Sequence, residues 1–276
     1  MSFYTSLSGL KGAQTDMSVI SNNIANAGST GFKRSKAQFG DIFASSPTQS
    51  TKMIAGQGQR LNGITQQFTQ GSYESSEKTL DLAIVGEGMF VVKGDPPREA
   101  VTYTRNGAFI PTPDRNVIDS TGAKLQLLPV DADGNVTNRT LAGAFDFVLP
   151  EGAPGDPTSG LVNVSIGLDG LVSATFANGE SQKLGKIAMA TFPAMEGLRP
   201  TGDAHWQSSG ESGPPTIDAA TNGPMGAIRS GALERSNVDI TEELVGLIAA
   251  QRSFQANAKA LDTASQISQT IFNIRS

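Results

Sequence analysis

Few side chains in this sequence could carry acid–base chemistry. The one histidine, His205, stands beside the one tryptophan, Trp206, in a stretch rich in glycine and serine. A histidine that acts as a general base needs a nucleophile or a carboxylate partner, and no motif in the sequence supplies one. We therefore expect structural or surface roles for both residues, and we predict no catalytic residue and no enzymatic activity.

Metal and cofactor sites are as poorly represented. The run from Asp131 to Asn135 resembles the beginning of a calcium-binding loop, but its third ligand position and the distal glutamate are missing, so we predict a turn. Gly86 and Gly88 lack the third glycine of a dinucleotide-binding loop, and a strand rather than a helix follows them. The sequence has no cysteine, which excludes disulfides and thiolate ligands. We predict neither a metal nor a cofactor.

The charge balance argues against nucleic acid as a partner. The formal net charge is −5 and the isoelectric point is about 5.0, so no net positive field attracts phosphates. Lys33, Arg34 and Lys36 are too few for a nucleic-acid patch, and we expect them on a solvated or interface surface. The sequon Asn138-Arg139-Thr140 is expected to stay unmodified.

Signals for membranes and secretion are missing from the sequence. No run of about 18 apolar residues occurs, so we predict no membrane insertion. Residues 1–10 lack the basic and apolar regions of a cleavable signal. If the protein works outside the cell, we expect another export route.

Apolar residues recur at steps of three and four at both ends of the chain, which predicts two amphipathic helices. The first stripe consists of Phe3, Leu7, Leu10, Ala13, Met17, Ile20 and Ile24. The second follows Asp239 and Glu242, which resemble a capping box with aspartate in place of serine or threonine. It consists of Leu244, Leu247, Gln251, Phe254, Ala258, Leu261, Ala264, Ile267, Ile271 and Ile274.

The middle of the sequence is typical of short strands joined by turns. Alternation from Leu80 to Ile84 and the run Met89–Val92 predict strands. Asn106-Gly107 predicts a hairpin turn, and Gly167–Gly170 predicts a second one. Before these strands, Phe32–Phe43 is predicted to be a second, weaker amphipathic stretch, which a polar linker follows.

These patterns predict an α+β fold, in which a β-rich central domain is inserted between long N- and C-terminal helices. We assign residues 1–35 and 237–276 to a terminal helical polymerisation domain, and residues 36–75 to a connecting segment. Residues 76–236 form the β-rich domain. Within it, residues 129–161 are rich in glycine, proline and aspartate, and we expect a small loop-rich excursion there.

An energy comparison indicates how the terminal helices are stabilised. Burial of the first apolar stripe gives about 12–14 kcal/mol, whereas ordering that backbone costs about 1–2 kcal/mol per residue. An isolated helix pair is therefore marginal, and packing among copies of the chain fits better than packing on the chain's own β domain. The residues predicted to form this polymerisation interface are Phe3, Leu7, Leu10, Met17, Ile20, Ile24, Leu244, Leu247, Phe254, Leu261, Ile267 and Ile271.

Several blocks of the sequence resemble the bacterial flagellar rod and hook family of axial proteins. They occur in the family's order, at both ends and in the middle of the chain. The blocks are Met1–Leu10, Ser21–Asn26, Gly31–Lys33, Gly56–Arg60, Gln67–Gly71, Leu80–Phe90, Gly231–Asp239 and Gln251–Asn257.

Within this family the chain most resembles the hook subunit, through Ser2-Phe3 and the block Ser236–Leu244. Typical hook proteins carry a much larger insertion where Pro129–Leu161 lies here. The distal rod protein of the basal body has a comparable length and is the alternative. The resemblance to the hook implies a flexible tube that transmits torque from rod to filament. The terminal helices would pack as its coiled-coil-like core layer, around an export channel and inside the β-rich domain.

The resemblance also implies partners and a location. The partners are other copies of the chain, rod proteins, the hook cap, hook–filament junction proteins and the type III export apparatus. The location is the extracellular hook or, for the alternative, the periplasmic rod. A β-rich adhesin or carbohydrate-binding protein is a remote alternative, because it needs clustered aromatic side chains and the chain has one tryptophan and three tyrosines. A hydrolase would need a site for which no candidate is found.

Overall fold

The computed structural model of the protein describes residues 2–43, 56–95, 100–154 and 156–274. The chain divides into two compact units. Unit 1 comprises Met1–Ala27, Arg34–Gln67 and Val238–Ser276, and unit 2 comprises Gly28–Lys33 and Phe68–Asn237. The predicted combination of two terminal helices with a β-rich centre is confirmed. No helix in the described part of the chain is both long and apolar enough to cross a bilayer.

Unit 1 contains both helices and one antiparallel strand pair. Helix α1 spans Ser2–Ala25 and α2 spans Ile240–Ile274. Strand β1 (Ser35–Phe43) pairs with β2 (Gly56–Gln66).

The strand β1 corrects the prediction of a helix-like amphipathic stretch over Phe32–Phe43, and it lies in the segment 36–75 assigned to a connection. Its apolar residues Ala37 and Phe39 stand two positions apart, which is the strand period, and bulges break the alternation after them. The predicted linker Ser45–Thr51 lies outside the described residues.

Unit 2 is built from short antiparallel strands. They are β3 (Tyr73–Ser75), β4 (Leu82–Val85), β5 (Met89–Lys93), β6 (Val101–Thr104), β7 (Ile110–Pro111), β8 (Val117–Ile118), β9 (Lys124–Leu128), β10 (Phe145–Asp146), β11 (Gly152–Ala153), β12 (Asp156–Ile166), β13 (Leu171–Phe176), β14 (Ser181–Ile187), β15 (Met189–Thr191), β16 (Arg199–Gly202), β17 (His205–Gln207), β18 (Thr216–Asp218), β19 (Ala227–Ser230) and β20 (Ala232–Glu234). The main sheet has the order β11-β12-β13-β14-β9-β5-β6-β17-β16, and the pairs β19-β4 and β20-β3 form two small sheets.

The central strand β5 separates two hydrophobic cores. Phe90 and Val92 pack in one core, whereas Met89 and Val91 pack in the other. Because successive side chains of a strand point to opposite faces, a strand buried on both faces needs an uninterrupted apolar run. The run Met89–Val92 meets that requirement, and all four of its side chains are fully buried.

The predicted turns have mixed outcomes. The hairpin across Gly167–Gly170 is confirmed, since β12 pairs with β13 and Gly170 has a φ of 76°. The turn predicted over Asp131–Asn135 is also confirmed, because the Asn135 amide donates to Asp131 Oδ1 over 2.7 Å. The hairpin predicted at Asn106-Gly107 is wrong. Gly107 instead allows its backbone to approach the backbone of Leu82 closely. A Cβ on Gly107 would lie 1.7 Å from the Leu82 carbonyl oxygen.

Candidate assembly surface

The two helices of unit 1 pack antiparallel along one face of each. Near one end the Asn23 amide donates to Glu243 Oε2 over 3.2 Å. Further along, Ile20 lies against Gly246, and Gly9 lies so close to Asn257 that a Cβ there would come within 2.7 Å of its Oδ1. As the position in α1 falls, the position in α2 rises, which fixes the antiparallel register.

Polar contacts anchor the beginning of α2. Asp239 Oδ1 accepts hydrogen bonds from the amides of Thr241 and Glu242, at 2.8 and 3.3 Å. The aspartate half of the predicted capping box is thus formed. The Glu242 carboxylate accepts from Arg34 over 3.0 Å.

The neighbouring Glu243 is buried, and two side chains compensate its charge. Arg34 Nε lies 2.6 Å from Glu243 Oε1, and Asn23 donates to the other oxygen. Asn23 also exchanges hydrogen bonds with the backbone of Ser35, at 2.8 and 2.9 Å. Asn23 thereby connects α1, β1 and α2. No local pattern in the sequence indicates this cluster, because its members come from three separate segments of the chain.

The predicted interface residues differ in exposure. Ile20 is buried. The half-buried residues are Leu7, Leu10, Met17, Ile24, Leu247, Phe254 and Leu261. The exposed residues are Phe3, Leu244 and Ile267. The side chain of Ile271 lies outside the part of the structure that is described.

The face of α2 that packs on α1 is rotated at its beginning relative to the predicted stripe. Leu244 and Gln251 are exposed, whereas Glu243 and Ala250 are buried. The ion pair of Glu243 turns this side of the helix inward, and the small residues Gly246 and Ala250 allow α1 to approach.

Rotation of the helix leaves four apolar side chains in solvent. We call them the start patch, and each is about half exposed, from 46% for Leu244 to 64% for Val245. They are Ile240, Leu244, Val245 and Ile248.

The far end of α2 extends beyond α1. Helix α2 has 35 residues and α1 has 24. In the observed register, the first residue of α1 lies opposite about Ala264, so the segment 265–274 has no opposite residue in α1. Every side chain from Ser265 to Thr270 is exposed. We call the segment 265–274 the overhang.

Unit 2 contains a buried ion cluster. Glu234 accepts from Lys33 over 2.7 Å and from Arg105 over 3.0 Å, and all three side chains are almost fully buried. Lys33 also donates to the Thr69 carbonyl, and burial lowers the pKa of its ammonium group while Glu234 opposes that shift. The expectation of a solvated or interface surface is therefore wrong for Lys33. Lys36 is exposed, as expected.

His205 has a carboxylate partner that the sequence did not reveal. Its Nε2 lies 2.9 Å from Asp119 Oδ2, and both side chains are buried. The other oxygen of Asp119 accepts from the Thr121 hydroxyl and from the amides of Thr121 and Ala123. Burial lowers the pKa of His205, against the opposing charges of Asp119 and Asp203. The approach of the two atoms lacks hydrogen-bond geometry, so it is a close contact that brings β17 next to the loop after β8.

Acidification is expected to destabilise unit 2 through His205. Because the pKa of His205 is lowered in the fold, the unfolded chain binds the proton first as the pH falls below about 6.5. The free energy of unfolding should then decrease as the pH falls. Above about pH 6.5 both states hold a neutral His205, and this destabilisation should be absent. Urea unfolding of the wild type and of His205→Gln, from about pH 5 to pH 8, measures it. Equal pH slopes in both proteins would contradict the assignment.

Among the described residues no group of three or more histidine, aspartate or glutamate side chains could hold a metal ion.

Comparison with known proteins relates three parts of the chain to flagellar proteins. Residues 3–33 match the family described as flagella basal body rod protein, and residues 83–174 match the flagellar hook protein FlgE/F/G D1 domain. Residues 229–274 match the flagellar basal body rod FlgEFG protein C-terminal family. The chain is also 35% identical over 289 residues to the flagellar basal-body rod protein FlgG of Bacillus subtilis, covering 99% of this chain and 98% of that protein. This chain belongs to the flagellar rod and hook family.

Other relatives of this axial protein include rod proteins as well as hook proteins. The basal-body rod protein FlgG of Buchnera aphidicola subsp. Schizaphis graminum is 30% identical over 284 residues, covering 98% of each chain. The flagellar hook protein FlgE of Salmonella typhimurium is 26% identical over 412 residues, covering both chains completely. A crystal structure of the Helicobacter pylori hook protein FlgE2 aligns with a TM-score of 0.25 at 14% identity, covering 73% of this chain and 43% of that one.

The predicted family is thereby confirmed. Flagellar rod and hook proteins are structural components of the bacterial flagellum and not enzymes, and the same holds for this chain. Membership of the family implies that copies of the chain assemble within the flagellar axial structure.

Proposed function

We propose that this axial protein is a subunit of the distal rod, the shaft of the flagellar basal body. The observation that carries the proposal is the full-length match with FlgG. That alignment runs over 289 residues for a chain of 276, so the two proteins share one size as well as one sequence pattern. By its sequence blocks alone the chain most resembled the hook subunit, with the distal rod protein as the alternative.

Length distinguishes the rod from the hook. The alignment with the Salmonella hook protein runs over 412 residues although this chain has 276, so that protein carries a long segment without a counterpart here. In this chain the region of the expected insertion is 129–161, and its described residues form two short strands, one turn of 3-10 helix (Leu141–Gly143) and the beginning of β12. The shorter chain fits the rod better.

The terminal helices form the polymerisation core in this proposal. They pair within unit 1, yet they leave the start patch and the side chains of Ser265–Thr270 in the overhang uncovered. Monomeric proteins rarely keep contiguous apolar surfaces in solvent, and such surfaces are typical of contacts with other molecules. Copies arranged around a channel would bury these surfaces and form the coiled-coil-like inner layer of the tube.

The neighbours follow from the position in the flagellum. In the rod, which lies in the periplasm, the chain would contact other rod proteins on one side and hook subunits on the other. The type III export apparatus would deliver it unfolded.

A hook subunit is the second candidate. The observation in its favour is the alignment with the Salmonella hook protein, which covers both chains from end to end at 26% identity. In that case the chain would lie outside the cell, and its partners would include the hook cap and the hook–filament junction proteins. The tube would then bend as it rotates.

The stiffness of the polymer separates the two candidates. Purified chain should assemble into straight tubes if it forms a rod, and into curved or supercoiled tubes if it forms a hook. Electron microscopy of the tubes, with polymers of the B. subtilis FlgG and the Salmonella FlgE as references, measures their curvature. Straight tubes support the rod and curved tubes support the hook. A chain that stays monomeric at every concentration would contradict both.

A further inference from the structure

We propose that the polymer contains a head-to-tail contact, in which the overhang of one copy packs on the start patch of the next copy. The occupant of both surfaces is therefore a second copy of this chain. The inference rests on the proposed polymerisation of the terminal helices and names the surfaces that meet.

The overhang continues a surface that is already an interface. Along α2, the side chains of Leu247, Phe254, Leu261 and Ala264 are partly buried on the side of α1, and burial stops where α1 ends. By sequence, Ile267, Ile271 and Ile274 carry the same three-and-four spacing onward. The helical backbone continues to Ile274. An apolar helix stripe that outlasts its intrachain partner calls for an equivalent partner from another molecule.

The start patch is a separate face of the same helix. Around the helix axis, Leu244 and Ile248 stand at one step of four, well away from Glu243 and Ala250, which face α1. The patch is thus beside the intrachain interface and remains open to solvent.

Charge does not oppose a contact between the two surfaces. The overhang contains no aspartate, glutamate, lysine or arginine, and neither does the stretch from Leu244 to Ala250. The nearest acidic side chains, Glu242 and Glu243, are both paired with Arg34. The nearest basic side chain, Arg252, lies one turn beyond Ile248 and is exposed, so its charged end can stay in solvent while the apolar surface is buried.

The positions of the surfaces explain why they cannot meet within one copy. Leu244 and Ile267 lie about 35 Å apart along the straight helix. Displacing a copy by about that distance along the axis brings its start patch beside the overhang of its neighbour. Because the two surfaces differ, the contact is heterologous, and a displacement along the axis repeats it into an open filament and not a closed ring.

Cysteine crosslinking tests the contact without background, because the chain has no cysteine. Tubes of the double variant Leu244→Cys/Ile267→Cys are oxidised or treated with a short bismaleimide, dissolved and separated by size. We expect a ladder of covalent multimers. A disulfide within one copy is excluded, since disulfides need Cα atoms within about 7 Å of each other. Both side chains are exposed in the single copy, so the fold should tolerate the substitutions.

Matched variants test whether the contact joins two different surfaces. Each single-cysteine variant should stay uncrosslinked in its own tubes, whereas tubes assembled from the two single variants together should give dimers and nothing longer. The pair Gln255→Cys/Ile267→Cys is the control, because Gln255 is exposed on α2 but outside both surfaces. Wild-type assembly is checked first by sedimentation.

The outcomes separate the inference from the proposed function. Tubes that form without a ladder would overturn the head-to-tail contact and leave polymerisation intact. Self-crosslinking of Leu244→Cys alone, or an equal ladder from the Gln255 control, would also overturn it. Wild-type chain that never polymerises would overturn the contact together with the proposed function.

Discussion

Glu234→Gln should lower the unfolding temperature of unit 2 by roughly 10 °C. Within the described part of the chain, Glu234 is the one acidic side chain paired with the buried cations of Lys33 and Arg105. Removing one partner of a buried ion cluster leaves uncompensated charge and costs about 3–5 kcal/mol. For a domain of this size, each 1 kcal/mol shifts the midpoint by about 2–4 °C. Thermal unfolding followed by circular dichroism measures the shift.

Two control variants test the cause of that loss. Arg235→Gln alters the adjacent residue, whose contact with Glu74 is 3.7 Å long and exposed, so it should cost less than about 1 kcal/mol. Lys33→Met removes one cation and leaves Arg105 paired with Glu234, so it should cost less than Glu234→Gln. If Glu234→Gln were no more harmful than Arg235→Gln, the buried cluster would contribute nothing to stability.

Leu261→Asp should abolish polymerisation and leave the unfolding midpoint of unit 2 unchanged. Leu261 is half-buried on α2, in the helix pair that the proposal places at the core of the tube. An aspartate there would bring an unpaired charge into an apolar interface, and every subunit would repeat the cost. Leu261→Ala is milder. A loss of about 2 kcal/mol per subunit corresponds to a critical concentration raised about 30-fold.

Pelleting assays across a concentration series measure assembly, and calorimetry on monomers measures unit 2. Thr263→Asp is the matched control, because it introduces the same charge two residues away at an exposed position and should assemble far better. If Leu261→Asp formed normal tubes and lowered the unfolding midpoint of unit 2, α2 would contribute to the stability of the single chain and not to assembly. The terminal helices would then not be the polymerisation core.

The sequence predicted the elements whose signal is local. Both helices carry sustained three-and-four periodicity, and Asp239 at the start of α2 has the chemistry of a cap. The hairpin around Gly170 followed from its turn residues and flanking alternation. In contrast, Ser35–Phe43 is short and its periodicity is broken by bulges, so helix and strand could not be told apart.

The contacts that the sequence missed are long-range. Glu234 is 201 residues from Lys33 in the sequence, and Asp119 and His205 are also far apart in the sequence and meet only in the folded unit 2. No spacing rule links such residues before the fold is known. The rotation of α2 was missed for a related reason. Its first turns have two apolar faces, and the buried one is selected by the ion pair of Glu243 with Arg34.

The buried pair of Lys33 and Glu234 also bears on the order in which the chain folds. Unit 1 is discontinuous, and its segments leave unit 2 just after Lys33 and just after Asn237. If unit 2 folds first, the 2.7 Å contact between Lys33 and Glu234 already holds these exits together. Helix α2 then meets α1 by closing a short loop instead of one of 201 residues, which saves about 2.5 kcal/mol of chain entropy. The helix pair that carries the start patch and the overhang would therefore form last, after unit 2 has folded.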